Sequence, residues 1–114
     1  MANRYWVASF AGTWNDTFNW STTSGGIGGA SVPGASDRVI FDSNGSGDCN
    51  ITSTARSYGF DTTNYTGTID VQSGITWQAD SPQGGGLITI GQNATVTGSG
   101  EITSQGATVT PTGS

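Results

Sequence analysis

GTIDVQSG (67–74), GITWQA (74–79), LITIGQ (87–92), ATVTGSG (94–100), EITSQG (101–106) and ATVTPTG (107–113) follow one another through the C-terminal half of the chain. Each sets one or two β-branched residues among polar ones and then stops at glycine or another turn former. Thr-Val-Thr and Ile-Thr-Ile put apolar and polar side chains on opposite faces, the period-two signature of a strand. The strands expected on this reading are Tyr5–Ser9, Arg38–Asp42, Asn50–Thr54, Gly67–Gln72, Ile75–Gln78, Leu87–Ile90, Thr95–Thr97, Glu101–Thr103 and Thr108–Thr110. Helices are not expected. No stretch repeats apolar residues at helical spacing, and the 19 glycines interrupt nearly every window of the sequence. The fold class is all-β.

Two architectures fit short strands at this spacing. In an antiparallel β-sandwich they are hairpins; in a short β-solenoid, or β-helix-like stack, each is one side of a coil resting on its equivalent in the next. The strands are very short and the turns are often single glycines. The one Asn-Gly pair, Asn44-Gly45, lies in the loop before Cys49 and not between two strands. These features favour the solenoid over the sandwich. At 114 residues the chain reads as a single all-β domain, with an aromatic-rich capping part (1–42) and a short-strand repeat part (43–114).

Composition narrows the function classes. Only 32% of residues are hydrophobic and 10% charged, yet four Trp, three Tyr and four Phe argue for an ordered chain with a thin core. Net charge is −5, from eight acids against Arg4, Arg38 and Arg56, so the basic footprint that phosphates or an anionic membrane require is missing. No apolar run approaches the ~20 residues of a membrane helix. The start, MANRYWVASF, lacks a charged-then-apolar leader, so synthesis in the cytoplasm is expected. Cys49 is the single cysteine and there is no histidine. Neither an intrachain disulfide nor a Cys/His metal or nucleophile site can be assembled, and Cys49 reads as a small core hydrophobe.

Residues 4–42 read RYWVASFAGTWNDTFNWSTTSGGIGGASVPGASDRVIFD. Trp14 and Trp20 are rigid apolar plates suited to closing the open end of a strand stack, whose unpaired edge would otherwise invite aggregation. Asp16 and Asn19 have the short side chains that bond turn backbone. Ser24–Ser31 is a glycine-rich surface loop, after which Pro33 fixes the chain direction and Asp37 turns it into the apolar strand Val39–Phe41. These residues, Trp14, Trp20, Pro33 and Asp37, are assigned a capping role.

The same stretch resembles the G-x-W-x-x-x-x-N-W…P-x-x-x-D-x-V-x-F opening motif of repetitive β-helical surface proteins, among them autotransporter-type passengers and bacteriophage or prophage virion proteins. The resemblance covers about a third of the chain. It implies a β-helical architecture and a virion location, and it says little about chemistry, since such folds host unrelated roles.

Paired carboxylates for glycoside hydrolysis would have to come from Asp37, Asp42, Asp61 and Asp70, all in turn-forming contexts, or from Glu101, the only glutamate. Residues 42–49, DSNGSGDC, resemble the start of a calcium loop, with Asp42, Asn44, Ser46 and Asp48 as a weak donor set. The twelfth position, where a calcium loop needs an acid, is Ser53. Gly25–Gly29 and Gly84–Gly86 lack the Lys-Ser/Thr of a phosphate loop. The six Asn-x-Ser/Thr sequons are expected from composition. Tyr58, Tyr65 and Trp77 are candidate ligand or interface aromatics. Trp77 is expected to be exposed, with Ile75 on the opposite face of its strand.

No catalytic residue and no required cofactor are expected. The expected role is a non-enzymatic structural protein of a tailed-phage virion: a capsid decoration protein, head spike or short fibre. Its expected partners are copies of itself, as a homotrimer that buries strand edges, together with major capsid or tail proteins and host glycans. The alternatives are a carbohydrate- or receptor-binding module, or a fragment of a bacterial β-helical adhesin.

Overall fold

The computed structural model describes residues 3–79, 88–89, 94–104 and 107–109. In chain order the strands are β1 (Asn3–Trp6), β2 (Gly12–Thr13), β3 (Trp20–Ser21), β4 (Arg38–Phe41), β5 (Cys49–Ile51), β6 (Ala55–Arg56), β7 (Phe60–Asp61), β8 (Thr68–Val71), β9 (Thr76–Gln78), β10 (Ile88–Thr89), β11 (Thr95–Thr97), β12 (Glu101–Ser104) and β13 (Ala107–Val109). A 3-10 turn at Thr17–Asn19 precedes β3, and no α-helix occurs among the described residues. None of the described helical structure is long and apolar enough to cross a membrane.

The strands form three small sheets, ordered β10-β7-β4-β1-β3, β11-β8-β5-β2 and β13-β12-β9-β6. Most pairings are parallel; β1 with β3 and β12 with β13 are the antiparallel ones among the described residues. The antiparallel sandwich is thereby corrected. Its hairpins need consecutive strands to pair, whereas β4, β5 and β6 each lie in a different sheet and each pairs with the strand three places later.

The registers align residues of like burial. Cys49 pairs with Ile69 and Ile69 with Val96, and Ala55 pairs with Trp77 and Trp77 with Ile102. Val39 pairs with Phe60. All of these are buried, so each sheet sends a column of apolar side chains into one shared core. The outward columns are polar, as in Asn50, Asp70 and Thr97. A one-residue slip would exchange the two sets of columns, so the thin apolar content suffices to specify register.

The core is largely aromatic. Trp6 meets Trp20 edge-on at 5.2 Å, and Trp14 meets Trp20 at 4.9 Å. Trp14 also lies 5.1 Å from Trp77, which stands 4.4 Å from Phe60, while Phe41 contacts Tyr65 at 5.0 Å. Edge-to-face and tilted pairs of this kind add about 0.5–1.5 kcal/mol each beyond their area burial. A few large rings thus replace the many aliphatic side chains that a chain so rich in Gly and Ser lacks.

Most expected strands lie within a residue or two of observed ones; Tyr5–Ser9 is the largest offset, pairing ending at Trp6. Leu87, Ile90 and Thr110, ends of expected strands, lie outside the described residues, as do Gly84–Gly86, Asn93 and most of the terminal stretch. The expectation missed β2, β3, β6 and β7, each of two residues, too short to show alternation.

Candidate functional site

The end of the molecule formed by β1, β2 and β3 carries Trp14 and Trp20 together with the turn formers Asp16 and Asn19. Strand β3 lies antiparallel on the free side of β1, pairing Trp20 with Trp6 and Ser21 with Tyr5. Beyond the ladder, the Val7 amide donates to the Asn19 carbonyl at 2.9 Å and the Ala30 amide to the Trp20 carbonyl at 3.1 Å. Strand β2 is the last of its sheet, and the Thr13 carbonyl accepts from the Asp16 amide and from the Asn19 side-chain amide at 3.1 Å. Asp16 in turn accepts the Phe18 N–H. Backbone groups that would otherwise await another strand are therefore bonded within the chain.

Trp14 and Trp20 are both buried at this end, and the Trp20 indole donates to the Trp14 carbonyl at 2.7 Å. Their rings belong to the core, and the seal over the edge is made by Asp16, Asn19 and the backbone of 17–30. Pro33 is buried. Asp37 closes a turn: its carboxylate accepts the Gly34 N–H at 2.8 Å, and its carbonyl accepts the Tyr58 N–H at 2.7 Å.

Of the three candidate ligand aromatics, two are inaccessible. Trp77 and Tyr65 are fully buried, which corrects their reading as ligand or interface rings. Alternate residues on a strand share a face, so Ile75 and Trp77 point the same way, and Thr76 and Gln78 take the outward side. The Trp77 indole donates to Ser57 Oγ at 3.0 Å, and the Tyr65 hydroxyl donates to the Gly47 carbonyl at 2.6 Å. Tyr58 is half-buried.

The weak calcium donors are divided between two separate staples. Asp42 Oδ2 accepts the Ser24 hydroxyl at 2.6 Å, Asp42 Oδ1 accepts the Asn44 N–H, and Asn44 Nδ2 reaches Ser24 Oγ at 2.9 Å. This trio ties the glycine-rich loop to the β4–β5 connection. Asp48 instead accepts the Thr68 N–H at 3.0 Å, and Ser46 is exposed. Among the described residues no three His, Cys, Asp or Glu side chains converge as a metal site would require.

Asp61 and Asp70 are engaged locally. Asp61 accepts the Thr63 N–H and hydroxyl and faces Arg38 at 3.6 Å, and Asp70 accepts the Gln72 amide. A shallow groove of about 210 Å³, lined by Gly74, Ile75, Thr76, Ser99, Gly100 and Glu101, contains one carboxylate. One carboxylate does not supply the acid and base that glycoside hydrolysis divides between two. Cys49 is buried, and desolvation holds its thiol well above the usual range, the opposite of an activated nucleophile.

Sequence reasoning missed three exposed apolar side chains, Phe10, Phe18 and Ile27, all within the N-terminal part. A signal for them was present: between Tyr5 and Ser36 the only charged residue is Asp16. No protein-family model matches the chain, and no curated protein and no solved structure matches it.

Proposed function

We propose that this chain is a non-enzymatic structural protein of a tailed-bacteriophage virion, a short parallel β-solenoid that acts through its surface and through contacts with copies of itself. The observation that carries the reading is the commitment of its reactive-looking groups to structure. Trp77 and Tyr65 are buried with their polar atoms bonded inside, and Asp37, Asp42, Asp48, Asp61 and Asp70 hold turns, loops and neighbouring strands. What remains outside among the described residues is a charge-poor surface, mostly polar, with Phe10, Phe18 and Ile27 as its large exposed apolar side chains. The order in which the chain visits its three sheets, with parallel pairing between successive passes, supports the solenoid. The motif from Gly12 to Phe41 supports the virion assignment through its resemblance to phage surface proteins.

The test is quantitative mass spectrometry of purified virions from the phage that encodes the chain. The expected result is a fixed stoichiometry relative to the major capsid protein, retained through a density gradient. A chain abundant in infected cells yet missing from intact particles would overturn the proposal.

A further inference from the structure

Asn44-Gly45 is the one Asn-Gly pair of the chain, and each of its two residues is held there by a separate contact. Gly45 is buried, and a Cβ on it would collide with the Trp6 carbonyl oxygen, so the turn passes the end of β1 only with glycine at this position. Asn44 is exposed; its side-chain amide donates to Ser24 Oγ at 2.9 Å, and Ser24 donates to Asp42 Oδ2 at 2.6 Å. The Asn44 side chain also lies against the bare backbone of Gly25, where a Cβ would come within 3.2 Å of the Asn44 Cβ and 3.3 Å of its Cγ. Packing thus selects a pair that is chemically labile. Glycine puts no side chain in the way of its own backbone nitrogen, which can attack the carboxamide that precedes it.

We propose that Asn44 is a self-modification site that needs only water, and that the staple through Ser24 and Asp42 sets its rate. In the reaction the Gly45 amide gives its proton to solvent and its nitrogen bonds to Asn44 Cγ. The Cγ–Nδ2 bond breaks, and Nδ2 takes up a proton and leaves as ammonia. Water then adds to one of the two carbonyls of the five-membered imide and opens it, leaving aspartate or isoaspartate and releasing a proton to the ammonia. In the folded chain each participant is restrained. The Gly45 N–H donates to the Asp42 carbonyl at 3.3 Å, and the Asn44 N–H donates to Asp42 Oδ1 at 3.0 Å. The bond from Nδ2 to Ser24 keeps Cγ from turning onto the Gly45 nitrogen. The product does not restore what the amide did. A carboxylate at position 44 has no N–H for Ser24 Oγ, and it adds a second negative charge beside Asp42. Isoaspartate also lengthens the backbone of a turn already pressed against the Trp6 carbonyl. The change therefore unfastens the glycine-rich loop from the β4–β5 connection, and in one direction only.

The test is incubation of the full chain in neutral buffer, folded and in urea, as wild type and as Ser24→Ala, followed by tryptic mapping. Trypsin releases residues 39–56, and fragmentation separates Asn44 from Asn50 within that peptide. Conversion at Asn44 should be slowest in folded wild type, about three-fold faster or more in folded Ser24→Ala, and fastest for the wild type in urea. Far-UV circular dichroism checks that Ser24→Ala keeps its fold. Three results would each overturn the proposal: wild type converting as fast folded as in urea, Ser24→Ala matching the wild type, or no imide, aspartate or isoaspartate at Asn44 even in urea. Asn44→Asp supplies the product without relying on that variant. Limited proteolysis within residues 22–31 should then be several-fold faster than in the wild type, and an unchanged rate would show that the loop does not depend on the amide, which also overturns the proposal.

Discussion

Trp6, Trp20 and Trp77 each carry the indole N–H to an oxygen inside the protein, at Gly47, Trp14 and Ser57 respectively. A buried tryptophan is stable only when that donor is bonded, so these rings are held by geometry as well as by area. Trp77→Ala removes a side chain packed between Trp14 and Phe60 and should cost about 3–5 kcal/mol in urea unfolding. Two other buried groups make stability sensitive to alkali. Burial pushes the Cys49 thiol up; burial, and then the charges of Cys49 and Asp48, push the Tyr65 hydroxyl up. The unfolded chain releases these protons near their ordinary values of about 8.5 and about 10, while the folded chain keeps them. The folded state then holds more protons, so stability is complete below about pH 8 and falls as pH rises beyond it. Urea midpoints measured from pH 7 to 11 should show that decline, and Cys49→Ala should delay its onset toward the tyrosine range.

The connections between strands depend on close backbone contact. Gly47 donates its N–H to the Ala8 carbonyl and lies under the Phe10 peptide, where no side chain fits. Gly47→Ala should therefore destabilise by about 1–3 kcal/mol, the cost of overpacking against backbone that cannot move aside. Gly34→Ala is the control: its Cβ would meet only the Asp37 carboxylate at 3.7 Å, an ordinary contact, and denaturation midpoints should barely change. At this scale much was legible in the sequence. Strands β8, β9, β11 and β12 follow from alternation, because each presents at least one buried residue between outward polar ones, and β4 follows from its apolar run Val39–Phe41, with Val39 and Phe41 buried. The two-residue strands β2, β3, β6 and β7 were not legible, since their existence depends on a neighbour to bond and not on their own pattern. Trp77 shows the opposite failure: its strand was found and its face misassigned, although its parity with Ile75 already linked the two to one side.

Across the whole molecule, the aromatic core joins passes of the chain that are distant in sequence. Trp14, just after β2, touches Trp77 of β9, and Phe41 of β4 touches Tyr65 beyond β7. Stacked repeats that contact only their neighbours can unfold piecemeal. Here the core spans more than adjacent strands, so one cooperative transition is expected. Tryptophan fluorescence and far-UV circular dichroism should give coincident urea curves, and separated midpoints would show the two ends unfolding independently. The sequence by itself determined the all-β class, the acidic charge-poor surface and the lack of a Cys/His site, because strand periodicity and residue inventory are local properties. The tertiary structure alone decided that strands pair mainly in parallel, that Trp77 and Tyr65 face inward, and that Phe10, Phe18 and Ile27 face out. Those outcomes depend on which chain segments become neighbours, and a ring is buried or exposed only once another pass of the chain lies over it or leaves it bare.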